Sequence, residues 1–122
     1  MRILRSVRHK SCADGTRMKE FLLSDPVTED FFLFLKNFGH VEILPNIGEG
    51  FYKFEKKDCF SMKGLVGDTT LEVRFIPEVM DITVKFLYAL FHFYGDGTPD
   101  IKTLKQREAG MEKRVNESLY GK

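Results

Sequence analysis

One apolar stretch carries four side chains whose types and spacing could do chemistry. In residues 77–95, PEVMDITVKFLYALFHFYG, the polar positions Asp81, Lys85, Tyr88 and His92 are four, three and four residues apart. Those intervals align all four on one narrow stripe of a helix, whereas a strand would scatter them over both faces. An acid, an amine, a phenol and an imidazole then lie beside a greasy face, where desolvation shifts pKa values. Lys85 could act as a base or Schiff-base nucleophile, His92 as a proton shuttle and Asp81 as the group that orients it. The plainer account is that the stripe is where an amphipathic helix meets water, with Asp81 and Lys85 as an ordinary i, i+4 pair.

Other chemistry is weakly signalled. His9 and Cys12, joined by His40 and Cys59, offer thiolate and imidazole ligands, but structural zinc sites usually show two close ligand pairs and only one loose pair is present. No metal site is expected, and the cysteines read as small core residues. The glycine-containing loops at 45–50 and 65–70 precede strands, not the helices that phosphate cradles need, so no cofactor is indicated. Ser6, Ser11, Ser24, Ser61 and Ser118 lack any nucleophile context. Arg2, Arg5, Arg8, Lys10, Arg17 and Lys19 make the first twenty residues basic against Asp14 and Glu20. The arm at 2–10 is the one focused patch for nucleic acid. Its nearest aromatic, Phe21, is assigned to a core face, and the net charge of +1 gives no general case, so nucleic acid is not expected as a partner.

The elements that must position these residues follow from periodicity. Residues 2–9 alternate weakly, as an edge strand or basic arm would. Thr16 is a plausible N-cap for a short helix to Leu23, with Met18, Phe21 and Leu22 inward. Asp25, Pro26 and Gly39 bracket a second helix over 26–38. From His40 the period becomes two: Val41 and Ile43, Tyr52 and Phe54, Phe60 and Met62, then Leu71, Val73 and Phe75 alternate with polar neighbours. This predicts a four-stranded antiparallel meander. The apolar helix over 77–95 packs on it, and a glycine-rich joint leads to an amphipathic tail helix on Ile101, Leu104, Met111, Val115 and Leu119, a spacing that Glu108 interrupts.

The expected class is therefore α+β: two N-terminal helices, a four-stranded meander, a long apolar helix and a tail helix. Residues 1–97 would form the domain and residues 98–122 a helix docked on it or on a neighbouring subunit. The order resembles a reduced helix-grip arrangement, in which a curved sheet wraps a long helix around an apolar cavity. That is a likeness of topology, and topology alone gives no function.

Composition sets the remaining bounds. A chain of 122 residues buries a core without staples, and two cysteines suggest a reducing, cytoplasmic setting. The basic start lacks the apolar run of a signal peptide, and no apolar stretch reaches the ~20 residues of a spanning helix. Twelve phenylalanines and no tryptophan would suit a tight core, a ligand cavity or a subunit interface. The leading expectation is a non-enzymatic binding or assembly domain, a homo-oligomer with an apolar face for a small molecule or a subunit. A small enzyme working through Asp81, Lys85, Tyr88 and His92 is one alternative, and nucleic-acid binding through the basic N-terminal arm is the other, ranked below it.

Overall fold

The computed structural model describes residues 1–44, 50–95 and 100–121. Residues 45–49 and 96–99, where a turn and the glycine-rich joint are expected, and with them the boundary after residue 97, lie outside the described residues. The described chain runs β1 (Ile3–Ser11), β2 (Arg17–Leu23), α1 (Glu29–Leu35), β3 (His40–Ile43), β4 (Phe51–Lys56), β5 (Phe60–Leu65), β6 (Thr70–Phe75), α2 (Met80–Gly95) and α3 (Ile101–Tyr120). A 3₁₀ turn at Pro77–Val79 leads into α2. All six strands form one antiparallel sheet in the order β1-β2-β6-β5-β4-β3. Leaving β2, the chain crosses through α1 to the far edge, and the meander then walks back until β6 closes against β2.

The class is α+β, but the expected four-stranded sheet with two N-terminal helices is overturned. Residues 16–23 are a strand. Asp14 and Gly15 make a tight turn, with Gly15 at φ +90° and the Thr16 amide and hydroxyl both donating to Asp14 Oδ1, at 3.0 and 2.6 Å. Thr16 is thus held in a hairpin turn and caps no helix. The spacing of Met18, Phe21 and Leu22 imitates a helix, yet Arg17–Leu23 is paired on both sides, by β1 and by β6. Two ladders of main-chain bonds outweigh a local cap signal.

The second expected helix is shorter than 26–38 for an equally local reason. The Val27 amide donates to Asp68 O and its carbonyl accepts from Gly67, both at 2.8 Å, which ties residue 27 to the β5–β6 turn. Thr28 caps α1 instead of Asp25, accepting from the Phe31 amide at 3.2 Å. Gly39 acts by close approach: a Cβ there would lie 2.6 Å from Glu55 O and 2.7 Å from the Phe54 ring.

Register sorts the sheet into two faces. One row reads Glu42, Lys53, Lys63, Glu72, Glu20 and Arg8 across all six strands. The other face carries Val41, Phe54, Met62 and Val73 in one row and Phe60 and Phe75 in the next, and against these the helices pack. Ten of the twelve phenylalanines are buried, and only Phe51 and Phe93 are half-buried. The rings interlock: Phe31 meets Phe91 at 4.8 Å and Tyr94 at 5.1 Å, Phe32 stacks on Tyr52 at 4.5 Å, and Phe38 meets Phe86 edge-on at 5.9 Å. Each fully buried ring contributes about 1.5–3 kcal/mol. These rings fill the region between the sheet, α1 and α2 where the helix-grip likeness puts a cavity. Among the described residues no helix is long and apolar enough to cross a membrane.

Candidate functional site

The four stripe residues lie together on α2, and all four are exposed. Tyr88, 46 % exposed, sets its ring edge-on to Phe21 at 6.3 Å, while His92 meets the Phe93 ring at 5.3 Å. Asp81 and Lys85 form no ion pair with each other. The stripe therefore opens on solvent, and the one buried polar group of this helix is Thr83, whose hydroxyl donates to Val79 O at 3.1 Å.

Lys85 differs from the other three in standing at a groove. Where α3 lies along α2, a depression of about 260 Å³ has Ile82, Phe86, Ala89 and Met111 as its floor and Lys85, Arg107 and Arg114 on its rim. Small residues make the space. A Cβ on Gly110 of α3 would meet nothing within 4 Å, and Ala89 faces it from α2. Glycine inside a helix costs about 1 kcal/mol relative to alanine. Arg107 stacks over Phe93 at 5.2 Å, and neither Lys85 nor Arg114 has an ion pair among the described residues. An apolar floor with three cations and no carboxylate is suited to a ligand with an apolar body and an anionic head.

A second charged group is buried. Lys56 Nζ lies 2.7 Å from Glu108 Oε2, with the two side chains 9 % and 8 % exposed, and 3.4 Å from the more exposed Glu112. It also donates to Phe38 O at 3.1 Å. Lys105 reaches Glu108 Oε1 at 3.1 Å, donates to Asn37 O and sits 5.0 Å over the Phe38 ring. The network joins the end of β4, the turn after α1 and the middle of α3. Sequence reasoning missed it, although both signals were present. Lys56 follows Tyr52 and Phe54 on the alternating inward positions, and Glu108 interrupts the apolar spacing of the tail helix.

Beside this network lies a larger hollow, about 500 Å³, between the β4–β5 turn and α3, lined in part by Asp58, Cys59, Glu112 and Lys113. Burial pushes the Cys59 thiol up to about 11, so it stays protonated and is a poor nucleophile at neutral pH. Asp58 sits at φ +66° and accepts from the Tyr120 hydroxyl at 2.9 Å, a bond to a carboxylate that raises the Tyr120 pKa. Carboxylates and ammoniums are interspersed here, and the arrangement reads as a tie between the end of α3 and the β4–β5 turn.

The four weighed metal ligands are dispersed. His9 is on β1 and His40 on β3, the opposite edges of the sheet; Cys12 is in the first turn and Cys59 is in the core. Among the described residues no three His, Cys, Asp or Glu side chains come together as a metal site. No protein-family model, curated protein or solved structure matches the chain.

Proposed function

We propose that the protein is a non-enzymatic binding domain whose α2–α3 groove takes a small anionic amphiphile. The observation that carries this reading is the pairing of an apolar floor with three rim cations, around a glycine whose missing side chain leaves the space. Lys85, Arg107 and Arg114 meet the anionic head, while Ile82, Phe86 and Met111 receive the apolar body. The volume, about 260 Å³, falls just below the ~300–1,000 Å³ usual for small-molecule sites, which favours a short chain. Titration calorimetry with octanoate and octanol tests it. Octanoate binds and octanol binds at least tenfold more weakly; Lys85→Gln with Arg114→Gln removes that preference, and Gly110→Leu abolishes binding. Equal binding of octanol, or unchanged binding by Gly110→Leu, overturns the reading.

Self-assembly is the second reading, favoured by β3, an edge strand of the sheet among the described residues, on which Ile43 is exposed. Light scattering showing a dimer that Ile43→Lys dissociates supports it, and a monomer at all concentrations removes it.

A further inference from the structure

We infer that the helix-side face of the β1–β2 hairpin binds the phosphate backbone of duplex nucleic acid. The evidence is a change of chemistry along the rows of the sheet. The apolar row Val41, Phe54, Met62 and Val73 continues onto β2 as Lys19 and onto β1 as His9. The next row, Phe60 and Phe75, continues as Arg17 and Ser11. In these two rows the face turns from apolar to basic on passing from β6 to β2, while the row of Leu71 continues onto β2 as buried Phe21. Residues 4–11 of β1 are all exposed, so the outer strand stands clear of the helices.

These side chains form a concave niche of about 380 Å³ together with Lys10, Met18 and Met80. No carboxylate lines it. Arg17, Lys19 and Lys10 have no ion pair among the described residues, and the two acids of the hairpin lie outside the niche. Asp14 binds Thr16 and lies 3.9 Å from Arg74, and Glu20 lies in the charged row of the opposite face, between Arg8 and Glu72. Uncompensated cations lining one niche repel each other, and an anion arriving there relieves that repulsion.

The partner follows from what the surface offers and lacks. A second copy would bring like charges together. An acidic strand added to the edge needs an even ladder, and β1 breaks its ladder twice, between Ile3 and Arg5 and between Ser6 and Arg8. Side-chain contacts to phosphate need no ladder. The niche contains no phenylalanine, tyrosine or tryptophan to stack a base, which favours the charge density of a duplex over a single strand.

Fluorescence anisotropy with a labelled 16-base-pair DNA duplex, a 16-nucleotide oligouridine and polyglutamate tests the inference. The duplex binds most tightly, and its affinity falls steeply with salt. Lys10→Gln with Arg17→Gln and Lys19→Gln weakens duplex binding tenfold or more and lowers the log–log salt slope by about 2–3, at roughly 0.9 per lost phosphate contact. The charge-matched control Lys53→Gln with Lys57→Gln and Lys63→Gln leaves both nearly unchanged. Circular dichroism confirms that both triple variants fold; if the first does not, the single variants Lys10→Gln and Arg17→Gln carry the test, each lowering the slope by about 0.9. No duplex binding at 50 mM salt, equal loss in the control, or tighter binding of oligouridine or polyglutamate overturns the inference.

Discussion

Lys56 and Glu108 each stand where alternation or helical spacing calls for an apolar side chain, and burial is tolerable only because each answers the other. Removing one partner strands the other charge, whereas replacing both with apolar groups does not. Lys56→Met should therefore cost about 3–5 kcal/mol in urea unfolding, and adding Glu108→Leu should recover most of it. Glu112 lies at 3.4 Å but is half-exposed, so Glu112→Gln should cost less than about 1 kcal/mol. Two glycines should respond in opposite directions. Gly110→Ala finds open space and gains up to about 1 kcal/mol, while Gly39→Ala drives a Cβ into the Glu55 carbonyl and destabilises. The buried Cys59 thiol has a folded pKa above its ordinary 9.0. Its contribution to stability is whole below pH 9.0 and is lost as pH rises through about 11. Iodoacetamide at pH 8 should modify half-buried Cys12 well before Cys59.

Each element shows where sequence reading reaches and where it stops. The meander strands lie where period-two alternation puts them, because one face is covered by helices and the other carries a charged row. α2 ends at the expected Gly95, and its first turn follows the expected Pro77. β2 was not legible as a strand, since its pairing with β6 joins residues some fifty positions apart and no local spacing reports that. The Asp14-Gly15 pair was the available hairpin signal. The predicted stripe was legible as a helical face, but the groove was not, because it needs α3 laid against α2. The register of α3 is set by Asp100, which accepts from the Thr103 amide at 3.0 Å and its hydroxyl at 2.6 Å. Those bonds hold the Asp100 pKa below its ordinary value, so the cap contributes above pH 3.8 and is lost as pH falls through the lower folded value. Ending the chain at residue 100 removes Glu108 from Lys56 and uncovers the groove side of α2. The truncated chain should lose cooperative thermal unfolding, seen by calorimetry, while a retained sharp transition would mean that α3 is an accessory.

For the whole molecule, the phenylalanine surplus is consumed inside the core, and the two proposed sites are surfaces at separate places. On one side the groove combines apolar and cationic groups. On the other the hairpin presents cations from the edge strand β1 and its neighbour β2. The two readings separate by variant: Gly110→Leu acts on the first, and Lys10→Gln with Arg17→Gln on the second. The groove is the central claim, and its most direct test is an amide proton–nitrogen NMR titration with octanoate. Shifts should be saturable and centred on Lys85, Ala89, Gly110 and Arg114, with little change along β1. Shifts that are absent, fail to saturate, or are reproduced in full by octanol would contradict it.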